Sequence, residues 1–403
     1  MSYLKNVASG GQFYSEMAAL SRQVEVGSGN FVTIIDGGET TSDSGYVGDP
    51  YMMLGIDENR DGVIDGGGYR MDPDGFHILS DLTVSGSINY TGDMMSSGAW
   101  VNINDNVWIL KDGANETDLE NVLNEISGNG GGTLFLPPTQ INVTVHKVIP
   151  ENTSVYDGNL RLEAYIEMKD RSSLNGVIID VNNLSGAPIY MTGWYASVRN
   201  CRIFVNTSMP TASTWLYVVH MAGYRQSVIG NFVINNVTHT GNCVLISAAS
   251  NNQVIANNVI KDDSGSDSAY AGIRCAGGCN LSTVTGNTVE NGKYGIMLYG
   301  RKITCTGNQV YSTSQCGIWV YVSDAYNTVV GNVVYTGGGN RINPYNSSKF
   351  VINDNVLDGG VNVTGTCTNF TIIGNSMDGA AAISTSSSGY KVAHNLGDSE
   401  HDI

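Results

Sequence analysis

Three aspartates near the C-terminus, Asp358, Asp378 and Asp398, recur at a constant step, each three residues after an asparagine (Asn355, Asn375, Asn395). If the chain stacks on itself at that step, equivalent side chains lie about 4.7–4.9 Å apart. Carboxylates so close raise one another's pKa, and retaining glycosidases hold their two carboxyls about 5–5.5 Å apart. Asp358-Gly359 and Asp378-Gly379 are also common turn dipeptides. The column therefore has three readings: plain corners, a cation site, or catalytic carboxylates. A second acidic group, Asp262, Asp263 and Asp267, falls in a long segment able to overhang a groove, and Glu290 occupies the same outward column position earlier in the chain. His220 and His239 have no identifiable partner and read as surface or satisfied histidines.

Aromatic residues point to binding. Tyr294, Tyr299, Trp319, Tyr321, Tyr326, Tyr335 and Tyr345 crowd one stretch of a chain that holds 21 tyrosines. Outward Tyr and Trp faces stack on pyranose rings while their polar ends stay wet. The competing reading is partial burial, between repeats or at a subunit interface. A third candidate is Asp57-Glu-Asn59-Arg-Asp61-Gly-Val63-Ile-Asp65. Oxygen donors at loop positions 1, 3, 5 and 9, with the Val63 carbonyl at 7 and Gly62 at 6, match the spacing of a calcium loop. The twelfth position is Gly68 rather than Glu, so either a weakened calcium site or an acidic β-turn fits, with Asp72 or Asp74 available as a borrowed ligand.

A repeat must position these residues. The segments Val228-Ile-Gly-Asn231, Val254-Ile-Ala-Asn257, Val284-Thr-Gly-Asn287, Cys305-Thr-Gly-Asn308, Val329-Val-Gly-Asn332, Ile352-Asn-Asp-Asn355, Ile372-Ile-Gly-Asn375 and Val392-Ala-His-Asn395 align, with Asn200 as an earlier marker. The steps are too short for a βαβ unit and carry no helical period. They fit one solenoid turn of three short strands. Gly, or Asn, takes the left-handed corner, and stacking sets the Asn side chains in a hydrogen-bonded column. A second register, Gly272-Ile273, Gly295-Ile296 and Gly317-Ile318, opens further strands. Before the repeat, residues 117–126 read as a short amphipathic helix with Thr117 as N-cap, followed by Gly130-Gly131-Gly132-Thr133-Leu134-Phe135-Leu136-Pro137-Pro138.

Coil by coil, residues 105–403 resemble the pectate-lyase-like right-handed parallel β-helix superfamily, whose solenoid opens with a capping helix and a Gly-Gly-strand-Leu-Pro-Pro segment. The resemblance implies an all-β fold of about nine or more coils, preceded by a small β-rich N-terminal module. It implies no activity by itself. The Trp-x-Asp-His and Arg-x-Pro-x-x-Arg strands of pectate lyases are absent. So is the ordered set of polygalacturonases, of which only an isolated Asp262-Asp263 occurs. No catalytic residue of those families carries over.

Composition narrows the classes. Charged residues are only 14% and Gly numbers 50, which suits many tight turns, while 41% apolar content excludes a disordered chain. A net charge of −17, with no Lys/Arg cluster apparent in the sequence, argues against nucleic acid. No apolar run suits membrane insertion. The first residues carry no apolar leader segment, which favours a virion protein or a mature chain over a freshly secreted one. The seven cysteines form no CxxC pair; Cys275 and Cys279 are spaced CxxxC, and buried apolar packing is the reading for all of them. The expected organisation is 1–50 as an attachment segment and 51–92 as a small β module resembling those of phage tail fibres. A linker with the capping helix follows at 93–133, and the β-helix occupies 134–403. The expected role is a tail-spike or tail-fibre receptor-binding protein, located in the virion tail. Its expected partners are a host surface polysaccharide or glycoprotein and, through the N-terminus, other tail proteins. A homotrimer is expected, with calcium as a candidate cofactor. The alternatives are an extracellular polysaccharide lyase or glycoside hydrolase of the same fold, and a cell-surface adhesin.

Overall fold

The computed structural model describes seven strands between residues 23 and 90. From residue 100 to 396 it describes all but 105, 183–186, 208–214, 240–241, 266–268, 322–324, 337–338, 379–381 and 384–385. The chain divides into two units, 1–104 and 105–403. In the first, strands Gln23–Glu25, Phe31–Asp36, Met52–Ile56, Gly68–Asp72 and Gly75–Ile78 form an antiparallel sheet in chain order. The last two pair with Asp72 opposite Gly75. Gln23–Glu25 forms the edge of that sheet, paired with Phe31–Thr33. The proposed calcium ligands Asp57, Asn59, Asp61, Val63 and Asp65 lie outside the described residues.

The second unit is a parallel β-helix of about eleven turns. Most turns contribute one strand to each of three sheets, and in the last turns Asn362–Val363 and Ala382–Ile383 pair as a separate two-stranded sheet. Sheet A runs from Val107–Leu110 through Gly132–Phe135 to Lys391–Ala393. Sheet B runs from Gln140–Val143 to Ser376–Met377, and sheet C from Lys147–Ile149 to Asn340–Pro344. All inter-coil pairings are parallel, and the crossovers have the usual right-handed sense. Helix α1, Glu116–Gly128, closes the first coil. Its N-cap is Asn115 rather than Thr117. The Asn115 side chain accepts from the Thr117 and Asp118 amides, and the Asp118 carboxylate accepts from the Asn115 amide at 2.9 Å. This capping box satisfies amides that would otherwise be orphaned. Leu119, Val122, Leu123 and Ile126 form the buried face, covering the open end that a solenoid must cap to stay soluble. The Lys147 ammonium, buried below, reaches Glu120 at 2.7 Å and Glu116 at 3.4 Å.

The Asn column is continuous from Asn231 to Asn395, and each oxygen accepts from both the backbone amide and the side-chain amide of the Asn one coil earlier. For Asn287 to Asn308 these distances are 3.0 and 2.9 Å. In one coil the sequence alignment is shifted by a residue. Asn258, not Asn257, joins the column, bonded to Asn231 and Asn287 at 2.9 and 2.8 Å. Asn257, with φ 55°, takes the corner that Gly holds in neighbouring coils. Asn200, with φ 53°, does the same, so the column begins at Cys201, whose amide donates to Asn231. An Asn–Asn pair hides which member turns inward.

Left-handed residues form two columns, one at each side of sheet A. At the corner into sheet B the occupants are Asp157, Gly176, Asn200, Gly230, Asn257, Gly286, Gly307, Gly331, Asp354, Gly374 and His394. These are mostly the types that tolerate the conformation. At the corner from sheet C into sheet A the same backbone is adopted by Asn152, Arg171, Tyr195, Arg225, Asn252, Leu281, Lys302, Tyr326, Lys349 and Asn369. Their amides donate to the next coil in a regular series, such as Leu281 to Arg301 O at 3.0 Å and Lys302 to Ala325 O at 2.6 Å. Each ordinary L-residue there costs roughly 1–2 kcal/mol relative to Gly.

Beside the buried Asn column the core is apolar, with sheet strands alternating inward Val, Ile and Leu with outward side chains. All seven cysteines are buried and free, as expected for core packing. Gly295 and Gly317 admit no side chain: a Cβ would lie 2.4 Å from Val310 Cγ1 and 2.3 Å from Val334 Cγ1. This is why the second register recurs as Gly-Ile.

Candidate functional site

One face of the solenoid carries an aromatic cluster on its outside. Sheet C strands Leu216–Met221, Cys243–Ala248, Ala269–Cys275, Tyr294–Leu298 and Cys316–Val320 stack in register. Outward positions on a solvated sheet are normally polar. Here Val244, Ala271 and Met297 point out and yet are fully buried, because Trp215, Tyr217, Tyr270, Tyr294, Tyr299 and Trp319 cover them. The rings touch in series: Trp215 to Tyr270 edge-on at 4.7 Å, Tyr270 to Tyr294 at 5.1 Å, and Tyr294 stacked on Trp319 at 4.9 Å. Tyr321 and Tyr345 extend the cluster, stacked at 5.4 Å. The Arg274 guanidinium lies 4.2 Å over Trp215 and 5.3 Å over Tyr299, and donates to the Tyr217 hydroxyl at 3.1 Å. Burial raises the Tyr294 phenol to about 12 and the Tyr299 phenol still higher, so both stay neutral donors.

On the same outward face runs a row of side chains in register, His220, Ser247 and Arg274, with Trp319 two coils on. His220 Nδ1, Ser247 Oγ, Arg274 Nε and Trp319 Nε1 are buried with no hydrogen-bond partner. Each such atom costs about 1–3 kcal/mol when left unmade, and four of the ten found among the described residues share this one outward row. The His220 ring is stacked between Tyr217 at 4.4 Å and Tyr190 at 5.5 Å. Burial, helped by the Arg274 charge, lowers its pKa to about 4, so it is neutral at pH 7. His220 thus joins the site, whereas His239 is satisfied by Asn235 Oδ1 at 2.8 Å.

The structure brings together Tyr294, Tyr299, Trp319, Tyr321 and Tyr345 of the sequence-selected aromatics. Tyr335 stands apart on sheet B, stacked on Tyr311 at 6.0 Å, and Tyr326 sits at the corner between sheets C and A beside Lys349. Trp215, Tyr217, Tyr270 and Arg274 escaped the sequence reading. Their strands are offset by long corners, and no marker Asn fixes their register.

Asp358 and Asp378 both follow the paired residues Leu357 and Met377, so they occupy one outward column of sheet B. Asp398 lies outside the described residues. The Asp358 carboxylate accepts from Arg341 Nε at 2.8 Å and from the Thr336 amide at 3.1 Å, which engages it in local structure. Glu290 stands in the same column, directly after Lys261 rather than Ile260, and pairs with it at 3.9 Å. Asp262 is buried and positions the aromatic site. One oxygen accepts from Asn235 Nδ2 at 2.7 Å and the other from the Ala269 amide at 2.8 Å, fixing the start of the strand that carries Tyr270 and Arg274. Asp263 pairs with Lys261 at 3.1 Å, and Asp267 lies outside the described residues. Among the described residues no group of three or more metal-ligating side chains is gathered.

The three-sheet solenoid and its internal Asn column define a right-handed parallel β-helix. Residues 217–377, which include most of the aromatic site, match the family model described as the right handed beta helix region. No curated protein matches the chain. Among solved structures it is similar to the tailspike of the E. coli bacteriophage HK620, a mutant in complex with a hexasaccharide, at 12% identity and a TM-score of 0.48, covering 71% of this chain and 62% of that one. It is also similar to the Dettilon tailspike protein at 15% identity and 0.46, covering 72% and 66%. A mannuronan C-5 epimerase A-module of Azotobacter vinelandii aligns at 13% identity and 0.41, covering 69% and 95%. At these identities the likeness concerns the fold.

Proposed function

We propose that this chain is a virion tail-spike or tail-fibre protein that binds a host surface polysaccharide or glycoprotein glycan on the outer face of sheet C. The observation that carries the reading is the aromatic cluster over Val244, Ala271 and Met297, with unpartnered polar atoms of His220, Ser247, Arg274 and Trp319 in register on the same face. Flat faces supply stacking area for sugar rings, and the polar row supplies donors and an acceptor for ring hydroxyls. In this reading the N-terminal unit attaches the chain to the tail, and three chains assemble.

Titration of the full chain with polysaccharides extracted from candidate host surfaces tests the site, read by intrinsic fluorescence. Trp319→Ala is expected to weaken binding about tenfold or more, since an aromatic contact contributes about 0.5–1.5 kcal/mol beyond its buried area. Unchanged affinity in a folded Trp319→Ala protein would remove sheet C from the account.

A further inference from the structure

The corner between sheets C and A carries a second pattern, separate from the aromatic cluster. Across eight successive coils its left-handed positions include Arg171, Tyr195, Arg225, Lys302, Tyr326 and Lys349. The opposite corner shows what the backbone alone selects, namely Gly, Asn and Asp with one His. Long cations and tyrosines in the same conformation are disfavoured by it, so their side chains answer to something other than the turn.

With Arg301 beside Lys302, this single edge holds five of the chain's 20 cationic residues, on a protein of net charge −17. No carboxylate among the described residues lies within ion-pair distance of Arg171, Arg225 or Lys302. Ion pairs among the described residues involve His146, Lys147, Arg161, Lys169, Lys261 and Arg341. Arg225 is held by the Tyr195 hydroxyl at 2.6 Å and lies 5.6 Å over that ring, while Lys349 lies 5.0 Å over Tyr326. The rings are open to solvent: Trp194 is 57% exposed, Tyr195 45% and Tyr326 52%. The ridge therefore holds two cation–tyrosine–cation sets, Arg171-Tyr195-Arg225 and Lys302-Tyr326-Lys349, separated by the coils of Asn252 and Leu281.

We propose that this ridge is a second binding site, for a linear acidic polysaccharide lying along the solenoid axis. The spacing selects the ligand class. Coils rise about 4.8 Å each, so Arg171 and Arg225 stand about 10 Å apart and the column from Arg171 to Lys349 spans about 34 Å. One small anion cannot bridge cations that far apart, whereas a chain with a carboxylate or sulfate on successive sugars meets them in turn. The intervening Tyr faces suit pyranose stacking.

The test uses the full chain with polygalacturonate oligosaccharides, dextran sulfate and neutral dextran of similar length, titrated at low and physiological salt. The double variant Arg225→Asn, Lys302→Asn places Asn where the backbone prefers it, so the fold is kept. Binding of at least one acidic probe, no binding of dextran at this ridge, and a tenfold or greater loss in the double variant are expected, with an unchanged or higher thermal midpoint. Trp319→Ala should leave this binding intact, which separates the ridge from sheet C. The proposal is overturned if neither acidic probe binds the parent, if the double variant binds as the parent does, or if its midpoint falls. Tighter binding of single-stranded oligonucleotide at the same residues would overturn the ligand class. A drop in solution mass in the double variant would assign the ridge to self-association instead.

Discussion

Replacing Asn308 by Ala removes one rung from the middle of the Asn column. Asn308 is fully buried. Its oxygen accepts from the Asn287 amide and side chain at 3.0 and 2.9 Å, and its Nδ2 donates to Val284 O at 3.0 Å and Asn332 Oδ1 at 2.9 Å. Asn332 Oδ1 keeps the Asn308 backbone donor at 3.0 Å, and Asn287 Nδ2 keeps Ile255 O and Thr285 O. The Asn287 amide loses its partner outright, whereas the Val284 carbonyl stays in the parallel ladder with the strand that carries Cys305. At about 1–3 kcal/mol for a buried group left unmade, the expected cost is about 2 kcal/mol. Asn395 ends the described column, with 7% exposure, so water reaches the gap left by Asn395→Ala and the cost there is about 1 kcal/mol. Solenoids unfold piecewise, so native-state hydrogen exchange at the Asn287 amide is the proper readout, with urea midpoints beside it. A loss at Asn308 under about 1 kcal/mol, or no larger than at Asn395, would refute the column as a principal source of stability.

Four further outcomes are expected. His220, with a folded pKa near 4 against 6.5 unfolded, stays neutral while the unfolded chain takes up a proton. Stability should therefore be full above pH 6.5, decline as pH falls toward 4 by on the order of 2 kcal/mol, and lose this component in His220→Phe, as read by urea midpoints across pH. Asp358→Asn breaks a half-exposed pair with Arg341 and should cost about 1 kcal/mol. Oligosaccharide release, if the chain shows any, should persist in Asp358→Asn and in Asp378→Asn, and its loss would return that column to catalysis. Light scattering of the full chain, with and without a calcium chelator, should give a mass near three times 42.9 kDa, and a stable monomer would contradict the trimeric spike.

The solenoid was legible because its corners demand particular residues. Gly and Asn mark the left-handed turn, and a buried amide must meet the amide above it, so Asn308, Asn332, Asn355 and Asn375 recur at near-constant offsets. The same logic misled at Asn257 and Asn200, where Asn serves the corner instead of the column. The candidate site was only half legible. Trp319 and Tyr294 fall in regularly spaced coils, but Trp215 and Tyr270 follow corners of irregular length. Their union depends on strand pairing across coils, which no local pattern encodes. The cationic corner left no local signal, because its residues are scattered singly through the sequence and adjoin only when coils stack.

Hydrogen exchange of the full chain with and without a bound host oligosaccharide tests the central claim most directly. The account predicts protection concentrated in strands Ala269–Cys275, Tyr294–Leu298 and Cys316–Val320, lost in Trp319→Ala. Protection confined to the sheet B strands around Glu290, Tyr335 and Asp358, with sheet C unchanged, would contradict it.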